Sequence, residues 1–403
     1  MSGRLKGAVM EQEYYTRAVK LSLKFITASK RRRLMAIYHA YVKAVNSYLR
    51  LLQEKGSKVK TNDLGGNNLT GRYRGVALWQ AKNIWKTTKA SAKTQKKKAR
   101  VRGFRGTALF SENVVVHGPR QMKGGFDYAF EFTSLRKVKG KSRRKLERIV
   151  VLTKKTKVLN KWLSIPGARI RPGCGLNPRY LIVYVEIPKP APKEVGKELG
   201  LDCNFAALLV DSEGRFYGER FKEIMAKVLR RQQGSKGSRR ARIERDHYIN
   251  YVVKRLPWQH LKAVAIEDLR NIKKGKRPRQ TRKFRRALSV WAVRNVRQAI
   301  TLKAQENGVR LVVVAAEWTS CTCPKCGQTD KASRKDREFK CSRCGHTQHA
   351  DVVGAVNISR KAFLTAGSLV SPVEESHSFS LPLETQVALQ TQLTPDQVLS
   401  GGG

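Results

Sequence analysis

Residues 323–357, CPKCGQTDKASRKDREFKCSRCGHTQHADVVGAVN, decide how the rest of the chain is read. Cys323 and Cys326 form one Cys-x-x-Cys knuckle, Cys341 and Cys344 a second, and fourteen residues separate them. Two such knuckles present four thiolates to one tetrahedral Zn²⁺, as zinc ribbons do. With four cysteine ligands no coordination position stays open, so this metal is expected to be structural. Gly327 and Gly345 each follow a second cysteine, where a tight turn favours a residue without Cβ. Cys321, His346 and His349 lie nearby and are read as bystanders. Beyond the ribbon, His349-Ala-Asp351-Val-Val-Gly-Ala-Val-Asn357 has the pattern of a helix that opens on an acid.

Working outward, two further acids stand at the ends of apolar runs. Asp202 closes Leu199–Leu201 and Glu267 closes Ala263–Ile266. Carboxylates at strand ends of an α/β sheet sit where ligands bind. Three that converge would suit two hard divalent cations, which can hydrolyse a phosphodiester. Asp268 alternates to the opposite side from Glu267. Asp211 and Glu213 belong to the turn signal Asp-Ser-Glu-Gly at 211–214.

Around these acids the C-terminal half reads as a mixed α/β sheet. Glu198–Tyr217 is a short antiparallel meander, 221–255 a basic helical region, 288–307 an amphipathic helix stopped by Gly308, and 309–315 a buried strand. A Pro- and Lys-bearing stretch, Pro188–Lys197, sets off a different N-terminal half. There the strand pattern Ala18–Ile26 is followed by helical periodicity over Lys30–Gln53 and about 72–99. Strand patterns return at 108–117, 126–132, 147–153 and 180–187. The simplest architecture is a β-barrel or sheet interrupted by a helical insertion.

The 403 residues carry 83 Lys+Arg against 30 Asp+Glu, a formal net charge of +53. One surplus positive charge per seven or eight residues costs self-repulsion unless a polyanion neutralises it, and nucleic acid is the leading candidate. Lys273–Arg286 holds nine Lys or Arg in fourteen positions: Lys273, Lys274, Lys276, Arg277, Arg279, Arg282, Lys283, Arg285 and Arg286. Further runs lie at 93–105, 136–148 and 230–245, the last with Arg239, Arg240 and Arg242. Phosphate contacts of this kind position a duplex without reading its sequence. No signal-peptide pattern and no stretch of about 18 apolar residues occurs, so secretion and membrane spanning are not expected. Seven cysteines, four of them in metal-type pairs, fit a reducing compartment. The last 42 residues contain no Lys or Arg and read as a poorly ordered tail.

Taken together, these residues resemble the TnpB family of transposon-associated RNA-guided nucleases and their relatives, the miniature type V CRISPR effectors. The resemblance covers 196–361 in sequence and the N-terminal half in layout only. It is carried by Gly200-Leu-Asp202, Ala265-Ile-Glu267-Asp-Leu269, Glu317-Trp-Thr-Ser320 before the ribbon, and Ala350-Asp351 with Ala355-Val-Asn357-Ile. The order acid, acid, Cys pair, Cys pair, acid is more specific than any one piece. Asn204 stands where many members have Gly, and Val353 where they often have Asn.

The resemblance implies a multidomain α/β protein, with an RNase H-like (RuvC-type) nuclease domain and an inserted zinc ribbon behind a wedge-like β-barrel carrying a helical insertion. In numbers, the barrel would occupy 1–28 and 106–195, and the insertion 29–105. The nuclease domain would span 196–315 and 349–363, the ribbon 316–348, and the tail 364–403. Asp202, Glu267 and Asp351 would be the catalytic carboxylates holding two Mg²⁺, Arg334 a further catalytic candidate, and the four cysteines the zinc ligands. A guide RNA (transposon-end RNA or CRISPR RNA) and target double-stranded DNA would be the partners. The expected activity is RNA-guided cutting of DNA beside a short protein-read motif, in a prokaryotic cytoplasm close to the nucleoid, by a monomer on its RNA rather than a dimer. Two readings stay open beside it: a miniature type V CRISPR effector with the same chemistry and a CRISPR RNA guide, as a monomer or a dimer on one RNA, and a zinc-ribbon protein that binds RNA or DNA without cutting.

Overall fold

Alternation of buried and half-buried side chains makes Tyr14–Ser22 the first strand, β1. It begins four residues before the apolar alternation suggests and stops at Ser22, where a turn closed by the Ile26 N–H donating to the Leu23 carbonyl leads to the helix cap at Thr27. The Thr27 hydroxyl accepts from the Lys30 backbone N–H, and α1 then runs Ala28–Lys55. The computed structural model describes residues 14–364 apart from 66–68, 95–98, 100–102, 112–115, 138–145, 270–285 and 288–289. Most of the 273–286 basic run and the 365–403 tail therefore lie outside the described residues. The chain forms two units, divided between Pro188 and Lys189.

In the first unit α1 is followed by α2 (Gly71–Thr94), then β2 (Ala108–Phe110), β3 (Val116–Gln121), β4 (Tyr128–Lys137) and β5 (Leu146–Thr153). The short helix α3 (Lys157–Leu163) precedes β6 (Arg169–Ile170), β7 (Cys174–Leu176) and β8 (Tyr180–Pro188). β1 pairs antiparallel with β8 along its whole length, Tyr14 opposite Pro188 and Ser22 opposite Tyr180. The first and last strands of the unit thus close around everything between them. Where a single barrel was expected, the described strands form two open sheets, one of β1, β8, β7, β2 and β6 and one of β3, β4 and β5. The helices close the core instead. Leu34, Ile37, Tyr41, Val45, Tyr48 and Leu52 of α1 are buried at helical spacing, and α1 lies against β4 and β5. Phe110 joins the layers, with Tyr41, Tyr73 and Phe132 rings edge-on to it at 5.2–5.8 Å.

In the second unit β9 (Lys197–Asp202), β10 (Leu209–Asp211) and β11 (Phe216–Tyr217) form the expected meander. The basic helical region resolves into α4 (Phe221–Arg230) and α5 (Lys236–Lys254), followed by β12 (Leu261–Glu267). Then come α6 (Val293–Asn307), which ends on Gly308, and β13 (Arg310–Val314). The sheet order is β11-β10-β9-β12-β13. β9, β12 and β13 run parallel, and β10 runs antiparallel to β9. This is the mixed sheet the sequence pattern calls for. The ribbon strands β14 (Arg334–Lys335), β15 (Glu338–Lys340) and β16 (Thr347–His349) make a separate small sheet that leads into α7 (Ala350–Phe363). Among the described residues no helix is long and apolar enough to cross a membrane.

α7 lies across β9, β10, β12 and β13 with Val353, Ala355 and Ile358 fully buried. Burial of a Val or Ile side chain stabilises by about 1.5–3 kcal/mol. The helix comes so close to β9 that a Cβ on Gly200 would stand 2.6 Å from the Ser359 nitrogen and nearer still to the Ala355 carbonyl oxygen. Gly200 is therefore required by proximity, and it fixes how near α7 can bring its first turn to the end of β9.

Gly200→Ala should destabilise the second unit by about 1–3 kcal/mol, the usual cost of overpacking. Gly75→Ala, on α2 with open space around it, should instead stabilise by about 0.5–1 kcal/mol. Urea-midpoint measurements on both variants check the pair.

Candidate active site and metal centre

Parallel pairing of β9 with β12 sets Leu201 opposite Ile266, so Asp202 and Glu267 leave the sheet side by side at the carboxyl ends of neighbouring strands. α7 supplies the third carboxylate. Asp351 lies in its first turn, where the helix dipole favours an anion, and His349 caps that turn by accepting from the Asp351 backbone N–H. The Gly354 position of the same helix lies against the Asp202 carboxyl, 3.4 Å from where a Cβ would be. The structure thus brings Asp202, Glu267 and Asp351 into one electrostatic neighbourhood.

In that neighbourhood Asp351 is buried and Asp202 and Glu267 are half-buried. Burial first, then the charges of Glu267 and Asp351, push the Asp202 carboxyl well above the ordinary carboxylate range. Burial also raises Glu267, against the Thr319 hydroxyl bond and the positive charges of Lys361 and Arg334. Arg334 is the cation the acids share: its Nη2 lies 3.4 Å from Asp351 Oδ1, and its charge favours the ionised forms of Asp202 and Glu267. The ribbon therefore reaches into the acid site through β14.

Several residues that spacing alone left without a role hold these acids in place. Thr319 donates its hydroxyl to Glu267 Oε1. Asn357, one side of its helix turned to the ribbon lead-in, donates to the Thr319 and Thr322 carbonyls at 2.7 Å each. Asn204 donates to Asp351 Oδ2 at 3.1 Å while its own carbonyl oxygen accepts from the Ala206 and Ala207 N–H groups. Thr319 and Asn357 belong to the motif stretches Glu317–Ser320 and Ala355–Ile358, and Asn204 occupies the position where the first of the acid motifs departs from the family pattern. Asp268 turns away, as alternation requires, and meets Arg297 at 3.6 Å. Asp211 accepts from the Glu213 and Arg215 N–H groups within its turn.

The four cysteines converge. Cys323 and Cys344 sulfurs are 3.6 Å apart, and Cys326 and Cys341 sulfurs 3.5 Å. Four sulfurs about 2.3 Å from a tetrahedral zinc would be roughly 3.8 Å from one another, so the cluster fits that ion. Gly327 and Gly345 adopt φ of +75° and +68°, the left-handed turns expected after each knuckle. Backbone N–H groups, that of Cys344 foremost, lower the Cys341 thiol below its ordinary value. Among the described residues this is the one set of three or more such ligand atoms within 4.8 Å of one another. The three carboxylates stay more open than that. Cys321, His346 and His349 lie outside the cluster: His349 Nδ1 is 3.9 Å from Asp351, and His346 contacts Gln348.

Of the basic residues singled out, Arg239 and Arg240 are exposed on α5 and Arg242 is half-buried there. Arg286 is exposed and donates to the Arg231 carbonyl. Lys273, Lys274, Lys276, Arg277, Arg279, Arg282, Lys283 and Arg285 lie outside the described residues.

With this geometry in view, the comparisons with known proteins bear on one segment above all. Residues 294–358 match the family described as Cas12f1-like, TNB domain. The match takes in α6, the ribbon with its four cysteines, Arg334, Asp351 and Asn357, and it excludes Asp202 and Glu267. The CRISPR-associated endodeoxyribonuclease Cas12f1 of Sulfoacidibacillus thermotolerans is 31% identical over 114 residues, 28% of this chain and 25% of that protein. The Cas12f2 endodeoxyribonuclease of Micrarchaeota archaeon (strain CG1_02_47_40) is 30% identical over 107 residues, 25% of this chain and 20% of that one. The chain thus covers a quarter or less of the length of these relatives. Among solved structures, a Cas12f1-sgRNA-target DNA complex aligns over 82% of each chain at 14% identity and a TM-score of 0.43. The mini-RNA-guided endonuclease CRISPR-Cas_phi3 aligns over 86% of this chain and 92% of its own at 11% identity and a TM-score of 0.48.

Purified protein should carry one zinc per chain, and Cys341→Ser should lose it, as elemental analysis would show. A second expectation follows from the buried carboxyl. Because Asp202 favours its proton in the folded chain, ionising it at neutral pH subtracts stability, and the loss grows as pH rises above the ordinary carboxylate value. Without added Mg²⁺, Asp202→Asn should therefore raise the urea midpoint at pH 7, with the gain shrinking as pH falls towards 4.

Proposed function

We propose that the second unit is a RuvC-type, divalent-metal-dependent nuclease, and that the whole chain is an RNA-guided DNA endonuclease of the TnpB and miniature type V class. The observation that supports the reading most is that Asp202 and Glu267, at the carboxyl ends of neighbouring parallel strands, share one electrostatic neighbourhood with Asp351 of the first turn of α7 and the ribbon's Arg334. The donor chemistry fits the metal. Three carboxylates offer hard oxygen ligands of the kind Mg²⁺ takes, and none of the soft sulfurs of the zinc site is among them. Asp202, Glu267 and Asp351 would hold two Mg²⁺, which when bound activate water and stabilise the leaving oxygen in phosphodiester hydrolysis.

The chain's own residues prepare that site. Thr319 orients Glu267, Asn204 orients Asp351, and Arg334 supplies a guanidinium beside the place where a phosphate would lie. The burial that raises Asp202 also strengthens any cation's hold on it once bound. A four-cysteine zinc would keep Arg334 rigidly aimed while taking no part in the chemistry.

The net charge of +53 supports a polyanionic partner that stays bound, as a guide RNA would. Base pairing would then choose the DNA target, and the protein would read only a short adjoining motif. The same reading places the protein in a prokaryotic cytoplasm. The curated relatives are CRISPR-associated endodeoxyribonucleases, which favours the miniature-effector version of the reading. Sequencing the RNA that copurifies decides between the versions: a constant repeat joined to variable spacers marks an effector, and a transposon end marks TnpB.

With its RNA and Mg²⁺, the chain should cut matched double-stranded DNA, and Asp202→Ala should slow cutting at least ~100-fold while leaving DNA binding intact. Equal cutting by that variant would refute the nuclease assignment.

A further inference from the structure

Trp318 departs from ordinary packing in two ways at once. Its φ is +63°, a left-handed conformation that a bulky aromatic residue adopts rarely and at a cost. Half of its surface, 49%, is exposed. The turn that holds it is tied down on both sides. The Trp318 carbonyl accepts from the Cys321 and Thr322 N–H groups at 3.1 Å and from the Thr322 hydroxyl at 2.9 Å. Asn357 grips the Thr319 and Thr322 carbonyls from α7. The next residue, Thr319, bonds Glu267 directly. An exposed indole is thus held on a rigid turn one residue from the group that orients a candidate catalytic carboxylate. The Lys331 ammonium lies 5.3 Å from its ring centre.

Strain kept at such a place is a reason to look for a task the ring performs. The neighbouring carboxylates repel phosphates, so a strand entering the site gains from an anchor that does not depend on charge. A nucleobase is flat and neutral, and indole is the widest ring a protein can stack on it. We propose that Trp318 is a stacking platform for one base of single-stranded DNA at the edge of the acid site, with Lys331 taking an adjoining phosphate. The assignment relies on the nuclease reading for why a strand lies there, and its test does not require cutting.

The full chain, with its copurified RNA and carrying Asp202→Ala, would be irradiated with an oligothymidylate containing 4-thiothymidine and digested with trypsin. Mass spectrometry should find an adduct on the peptide 311–325, which contains Trp318. Trp318→Gly should lower that yield at least about fivefold, the lower end of what losing one stacked base costs. Trp318→Phe should restore it. Trp318→Gly should also match or exceed the parent's urea midpoint, because glycine takes φ of +63° without strain. The proposal fails if peptide 311–325 carries no adduct, if the glycine variant keeps the yield, if phenylalanine does not rescue it, or if the glycine variant is less stable. Cutting assays on chain with Asp202 intact test the nuclease reading separately.

Discussion

Three carboxylates gathered under one guanidinium, at the end of a parallel strand pair, form the constraint that the rest of the second unit serves. Charges taken out of water resist assembly: burial raises the carboxyls of both Asp202 and Glu267, and at Asp202 the charges of Glu267 and Asp351 add to it. Something must hold them there against it. β9 and β12 do so by register, α7 by its approach over Gly200, and the ribbon by delivering Arg334. Each element is tied to another: Asn357 of α7 clasps the ribbon lead-in, and Thr319 of that lead-in holds Glu267 of β12.

This arrangement gives the zinc ribbon a meaning beyond its own fold. Its core is small, Phe339 packed with Cys323, Cys341, Ala350 and Val353, and a zinc on the four cysteines would add the cross-link that so few apolar side chains cannot supply. What the ribbon gains in rigidity it passes to Arg334 at one end and to Asp351, which follows β16 directly, at the other. The four-cysteine cluster and a catalytic candidate are therefore linked through two short segments. Asn204 adds a similar tie from the strand side, and it accounts for a polar residue beside Asp351 in a chain whose residue 353 is a buried valine.

The first unit follows a different logic. Its opening and closing strands pair end to end, so every element between them is folded back into one core with two large aromatic-bearing helices. The helical insertion shares that core with both sheets through Phe110. Helices, rather than further strand pairing, complete it.

Much of this was legible in the sequence because the signals are local. The cysteine spacing, the apolar stripe of α1, the turn at 211–214 and the acids closing Leu199–Leu201 and Ala263–Ile266 each depend on neighbours within one or two turns of chain. Local patterns could not reveal that the first unit's described strands split into two sheets. Nor could they reveal that Arg334 reaches Asp351, that Asn357 bridges to Thr319, or that Trp318 is held in a left-handed turn beside Glu267. Those facts depend on contacts between residues tens to hundreds of positions apart, such as Asn204 with Asp351. A chain's periodicity says which face of an element is buried; only packing decides what it is buried against, and so which side chains meet.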